Sequence, residues 1–175
     1  MLKANVKEKL KNNRWILLPL LIFILTLLLF QHVLLYAFVP SQSMEPYIPC
    51  GSIGLANRLS YSSSKPDFGD VVVIKTAEGV LIVKRVIGMP GDTVELSGGN
   101  VYVNGQAITE NYLMGAVTYT DQTFVVPGDS YFVLGDNRNN SEDSRLWEQP
   151  YVSEHDIIGK WMCGFQFVHS ENTEE

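Results

Sequence analysis

The sequence predicts a mainly β protein, with a single N-terminal transmembrane helix followed by an antiparallel β-rich domain. Three observations carry this. An uncharged apolar run extends from Trp15 to Val39. Beyond Pro46 the texture changes to short β-branched runs broken by Gly, Pro, Asn and Asp. The sequence holds no internal repeat, heptad run or phosphate-binding glycine loop. At 175 residues it has room for one anchored domain of moderate size.

Residues 1–14 hold Lys3, Lys7, Lys9, Lys11 and Arg14 against Glu8, a balance of +4, so the formal total of −6 leaves −10 for the remainder. So acidic an outer part excludes a nucleic-acid footprint, which needs clustered Lys and Arg. Trp15 to Val39 is about 25 residues, which at about 1.5 Å per residue reaches about 37 Å against a hydrocarbon core of about 30 Å. It is long enough to cross a bilayer with tilt. A removed secretory signal would have a shorter apolar core and a small-residue cleavage site, and Leu34 to Val39 offers none, so an uncleaved anchor is expected. The basic flank belongs on the cytoplasmic side. The chain is then single-pass in the cytoplasmic membrane, with all that follows Val39 outside and with Trp15 and Tyr36 near the two interfaces. Gln31 and His32 fall near the outer end of the run, where a polar pair is commonly interfacial. Four segments follow: a basic cytoplasmic N-terminus at 1–14, the helix at 15–39, the β-rich domain at 40–169 and an acidic tail at 170–175.

Strands are expected over Ser52-Leu59, Val71-Thr76, Val80-Gly88, Thr93-Leu96, Val101-Val103, Thr123-Val126, Tyr131-Leu134 and Ile157-Phe167. Tyr61 to Pro66 reads as a surface loop, and Asn104-Gly105 as a two-residue hairpin turn.

Three stretches could do chemistry. Pro40 and Pro46 bracket Ser41-Gln42-Ser43-Met44-Glu45, fix φ and bias the residue before each of them toward extended geometry, which places Ser43 on a rigid extended turn. Read alone, the stretch is better described as a linker leaving a membrane helix. In Val80 to Gly88, Lys84 and Arg85 interrupt an apolar strand and alternation sends them to opposite faces. With Arg85 toward solvent or a carboxylate, Lys84 shares its face with Ile82 and Val86, and burial there lowers a lysine pKa. Read alone, it is better described as a lysine snorkelling from an edge strand. Taken with Ser43 it gains a meaning, because a serine hydroxyl needs a base and a neutral lysine can be one. An ordinary lysine of pKa about 10.4 is neutral in about one molecule per thousand near pH 7.4, whereas a pKa near 8 makes it neutral in roughly one fifth, at a cost of about 3 kcal/mol. His32 lies in the apolar run and His169 at the border of the acidic tail, leaving only His155 as a competing base in the body of the domain. The third stretch is Gly135 to Arg145, in which Asp143 could pair with Arg138 or Arg145 and Ser141 could orient a nearby base.

With these blocks in order after an N-terminal anchor, the chain resembles the bacterial type I signal peptidases, the membrane-bound Ser-Lys proteases also called leader peptidases. Ser41-Gln42-Ser43-Met44-Glu45-Pro46 looks like the family's serine block, and Gly69-Asp70-Val71-Val72-Val73 and Lys84 through Asp92 look like its two central blocks. Gly135-Asp136-Asn137-Arg138, with Asn140-Ser141 and Asp143-Ser144-Arg145, looks like the last and most specific block. The resemblance implies Ser43 as nucleophile, Lys84 as general base, and the Ser41 hydroxyl with the Ser43 amide as oxyanion hole. It also implies Ser141 as the group that orients the lysine, and Arg138, Asp143 and Arg145 as structural braces. The implied fold is a β-rich domain with an apolar surface resting on the bilayer, and the implied substrates are exported preproteins cut after small residues at −1 and −3. No cofactor, metal or nucleic acid is implied. Tyr47 stands where the family usually has Thr, and Phe68 where Arg often precedes Gly-Asp. Cys50 and Cys163 are the only thiols, without a second ligand pair at metal spacing; whether they pair is open. A noncatalytic paralogue that binds preproteins or pilin subunits and assembles them is the alternative, and it could dispense with the serine or the lysine. A soluble self-cleaving repressor of Ser-Lys type is disfavoured by the apolar span and by the lack of a DNA-binding helical segment.

Overall fold

The computed structural model describes residues 14–117 and 120–166 and divides into two units. The first holds helix α1 (Arg14–His32), in which Trp15–His32 is apolar and long enough to cross a membrane. Exposed Leu, Ile and Phe surround it, so it has no polar stripe of the kind a helix on a soluble core shows to water.

The apolar run does not stay helical as far as Val39, which corrects the expected span. The Val33 amide donates to the Leu29 carbonyl at 2.8 Å, α1 ends at His32, and strand β1 (Leu34–Val39) begins. In β1, Leu35, Ala37 and Val39 are buried while Tyr36 and Phe38 are exposed. That is the period of a strand, and hydropathy hides it because both faces are apolar.

The second unit carries two sheets. The larger has seven strands in the order β1, β2 (Ser52–Asn57), β11 (Ile157–Gln166), β3 (Val71–Lys75), β4 (Leu81–Gly88), β9 (Ser130–Leu134) and β10 (Val152–Ser153). The smaller runs β7 (Gln106–Ala107), β6 (Asn100–Val103), β5 (Thr93–Ser97) and β8 (Gln122–Val125). Pairing is antiparallel from β2 through β10 in the first sheet and throughout the second. The eight expected strands are present with ends shifted by a residue or two; β1, β7 and β10 are additions. Phe167, the expected end of the last strand, and the segments 1–13 and 167–175 with His169 lie outside the described residues. Asn104 (φ 52°) and Gly105 (φ 77°) form the predicted turn between β6 and β7, both in the left-handed region that a two-residue hairpin turn of this kind requires.

The core explains why β3 and β4 read as continuous apolar runs. Val71 and Val73 pack with Leu35, Val39, Met44, Val83 and Trp161, while Val72 and Ile74 pack on the opposite face with Val86, Tyr131, Val133 and Ile157. The strand is thus covered on both sides, as Val-rich strands without polar alternation usually are. A third cluster of Ile87, Val94, Leu96, Val101, Val126, Phe132 and Leu134 fills the space between the sheets. Tyr131 is fully buried and its hydroxyl has no hydrogen-bond partner among the described residues. Tyr131→Phe is therefore expected to raise stability by about 1 kcal/mol, read as a higher denaturant midpoint at unchanged slope, since a buried unpaired hydroxyl costs about 1–3 kcal/mol.

Candidate active site

The site is built where strand β4 passes beneath two turns. Lys84 pairs across the ladder with Val72, so its side chain lies on the Val72, Ile82 and Val86 face, as alternation predicts, and is 4% exposed. Its Nζ donates to Ser141 Oγ at 2.9 Å. Ser141 has one proton, and it goes to Asp143 Oδ2 at 2.7 Å. The serine oxygen is thereby left to accept from the lysine, which fixes the direction in which the amine can present its lone pair. Asp143 is held in turn by the Gly135 amide at 2.9 Å and by Arg145 Nε and Nη2 at 2.7 and 2.9 Å.

Burial is the largest influence on Lys84 and lowers its pKa to about 8, with Asp143 pulling the value up and Arg145 pushing it down. An ammonium in this setting loses most of its hydration and recovers only part of that loss from Asp143, whose charge is shared with Arg145.

Ser43 lies on the loop after β1, 8% exposed, within a series of turns rather than an extended segment. Met44 is fully buried and roots the turn in the core, and the Ile48 amide closes onto the Met44 carbonyl at 2.8 Å. The loop from Gly135 to Asn140 grips the same turn. The Asn137 amide donates to the Ser43 carbonyl at 3.0 Å, Asn137 Nδ2 to the Gln42 carbonyl at 3.2 Å, and Asn140 Nδ2 to Gln42 Oε1 at 2.8 Å. Gly135 is required by this close approach: a Cβ there would stand 2.5 Å from the Ser43 carbonyl oxygen and 2.2 Å from Ser141 Oγ. Ser41 Oγ lies 3.3 Å from Ser43 Oγ. Ser41, Ser43 and Lys84 line one cleft of about 840 Å³ whose walls include Phe38, Val39, Ile82, Trp147 and Tyr151.

Arg85, on the opposite face from Lys84, finds the carboxylate that the sequence left open. Its Nε and Nη2 meet Asp136 Oδ1 and Oδ2 at 2.8 and 2.6 Å, and Nη1 donates to the Gly69 carbonyl at 2.8 Å. Tyr47 and Tyr112 both lie against its guanidinium, 4.9 and 4.1 Å from the ring centroids. Of the expected braces, Asp143 pairs with Arg145, while Arg138 engages Glu110 through both terminal nitrogens and donates to the Gly135 carbonyl at 2.9 Å. Asp136, Asn137, Glu110 and Tyr112 were not singled out from sequence. Cys50 and Cys163 are free thiols; Cys50 Sγ donates to the Pro40 carbonyl at 3.1 Å. His155 is exposed and Phe68 is exposed, away from the cleft's lining. Among the described residues no cluster of His, Cys, Asp and Glu could hold a metal ion.

A family model described as signal peptidase, peptidase S26, matches residues 12–165. Signal peptidase I of Leptolyngbya laminosa is 39% identical over 137 residues, covering 73% of this chain and 66% of that protein. The probable signal peptidase I-2 of a Synechocystis strain is 38% identical over 135 residues, covering 73% of this chain and 61% of that one. Signal peptidase IB of Staphylococcus aureus is 31% identical over 182 residues and covers 91% of this chain and 94% of its own length. The chain thus spans just under two thirds of the first two relatives and nearly all of the third. Because the matched residues take in the Ser43 turn, strand β4 and the Gly135–Arg145 loop together, the chain belongs to the signal peptidase family, peptidase S26.

Proposed function

We propose that the protein is a membrane-anchored serine endopeptidase that removes N-terminal signal peptides from exported preproteins, with Ser43 as nucleophile and Lys84 as general base. The observation that carries this reading is a buried lysine amine, oriented by Ser141 and sharing one cleft with Ser43. Lys84 Nζ takes the Ser43 hydroxyl proton as Oγ attacks the scissile carbonyl, and the Ser41 hydroxyl with the Ser43 N–H holds the oxyanion. The tetrahedral species collapses as Lys84 returns the proton to the leaving amine, leaving the signal peptide esterified to Ser43. Water, deprotonated by the same amine, then releases it. Arg138, Asp143 and Arg145 act as braces, and Ser141 as the orienting group.

The proposed topology has residues 1–14 cytoplasmic, α1 in the cytoplasmic membrane and the β-rich domain outside. With enzyme and preprotein in one bilayer, effective concentration rises and a short extended peptide needs few contacts. Cleavage after small residues at −1 and −3 is the specificity that the family resemblance implies, and Phe38, Val39 and Val83 give the cleft shared by Ser43 and Lys84 an apolar lining for such side chains.

The test is cleavage of a preprotein carrying an Ala-X-Ala site by the detergent-solubilised protein, with the cut located by mass, beside Ser43→Ala. Parent cleavage after the second Ala and an inert, folded Ser43→Ala are expected. Binding without cleavage would favour a noncatalytic role. The pH profile is a further expected outcome. Since Lys84 acts only when neutral and its pKa is about 8, kcat/KM should rise about tenfold per pH unit below that value and level off above it.

A further inference from the structure

Two buried arginines tie the Gly135–Asp143 loop in place, and a segment outside the four family blocks covers both. Arg85 follows Lys84 on β4 and holds Asp136 of the loop; Arg138 belongs to the loop and holds the Gly135 carbonyl. The Tyr112 ring lies 4.1 Å from the Arg85 guanidinium carbon. Glu110, its side chain 5% exposed, takes both terminal nitrogens of Arg138, whose side chain is fully buried. Tyr112 Oη donates to Glu110 Oε1 at 2.8 Å, so the two contacts form one unit. The same loop carries Asn137 on the Ser43 carbonyl and Ser141 on Lys84.

From this chain of contacts we infer that Glu110 and Tyr112 are positioning residues: they clamp Arg85 and Arg138, and so set the geometry of Ser43 and Lys84 at once through the loop between them. The inference deepens the Ser-Lys reading above and rests on it. Neither residue lines the cleft, so the clamp works on the turnover step rather than on substrate binding. A displacement of about 1 Å between reacting groups is enough to cost about a hundredfold in rate.

The experiment uses the full chain in detergent, labelled with ¹³C at lysine Cε, as the parent and as Glu110→Gln, Tyr112→Leu and the milder Tyr112→Phe. The Lys84 resonance is assigned by its disappearance in Lys84→Ala. Two quantities are read: kcat against KM on a preprotein, and the Lys84 titration midpoint. Around Lys84 stand Asp143, Arg145, Glu142 and Asp136. Loss of the Glu110 charge acting through space would lower the midpoint, whereas a loosened loop admits water and raises it, so the sign separates the two. Glu110→Gln and Tyr112→Leu are expected to lower kcat about tenfold to a hundredfold with KM changed less than about threefold, and to raise the midpoint by at least about half a pH unit. Tyr112→Phe, which keeps the ring over Arg85 and loses only the bond to Glu110, should show the same shifts at about a fifth of the size or more. A midpoint unmoved in all folded variants, with kcat falling only as the folded fraction falls, would overturn the clamp. If Glu110→Gln does not fold, the two Tyr112 variants decide by the same criterion. A parent that does not cleave sinks the dyad reading alone, because the Lys84 midpoint reports the clamp without turnover.

Discussion

Lys84→Met is expected to lower kcat at least about 10³-fold and at the same time to make the domain more stable at neutral pH. Methionine keeps the volume of the stem on the Val72, Ile82 and Val86 face but offers no base. The stability gain follows from linkage. The folded-state pKa of Lys84, about 8, lies below the ordinary 10.5. Between those values the unfolded chain binds more protons, so stability climbs as pH rises from about 8 to about 10.5 and is lowest below 8. Some 2.5 pH units correspond to about 3 kcal/mol, part of which the lost bond to Ser141 takes back, leaving a gain of about 1–3 kcal/mol. Denaturant unfolding at pH 7 and pH 10.5 measures it. The parent should be more stable at the higher pH through this residue, and Lys84→Met should lose that component of the slope. A variant that is inactive and also less stable at pH 7 would mean that Lys84 is held charged and paired, contrary to the proposed role.

Asp136→Ala is the second large effect, and it acts on the fold. Asp136 is fully buried and meets Arg85 through two hydrogen bonds. Removing the carboxylate strands a guanidinium whose side chain is only 10% exposed, at a cost of about 3–5 kcal/mol. For a domain of this size, that is a fall in melting temperature of about 10–15 °C. Removing both charges differs in kind. Asp136→Leu with Arg85→Met leaves no uncompensated ion, and most of the lost stability should return. Activity should not return with it, because the loop that bears Asn137 and Ser141 is then held by packing without direction. Thermal melts of the single and double variants, with cleavage assays on the folded protein, separate the two contributions.

Much of this was legible in the sequence where one local signal decided the matter. Alternation alone placed Lys84 and Arg85 on opposite faces of β4, and Asn104-Gly105 placed a turn. The two prolines announced a non-helical Ser43 stretch but pointed to extended geometry, whereas the segment folds as successive turns because Met44 is buried and the Asn137 amide holds the Ser43 carbonyl. What escaped was long-range or masked by composition. Glu110 meets Arg138 across 28 residues and Asp136 meets Arg85 across 51, and no local period announces such pairings. The sequence left Asp143 open to Arg138 or Arg145 and could not show Glu110 on Arg138, because that carboxylate arrives from outside the polar block. The end of α1 escaped for the opposite reason: Tyr36 and Phe38 on the outer face of β1 are as apolar as the residues it buries, so a strand read as more helix.

Strand β3, covered on both faces, has a consequence for what the domain can tolerate. Lys84 lies directly across from Val72, so the dryness around the amine belongs to the packing of β3, β4 and β9 as a whole. A methyl group lost at Val72 or Val133, neither of which lines the cleft, would let water toward the amine and return it toward its charged state. Core positions in this protein are thus also acid–base positions. Drift in the hydrophobic interior would be felt as a change in working pH well before it was felt as unfolding.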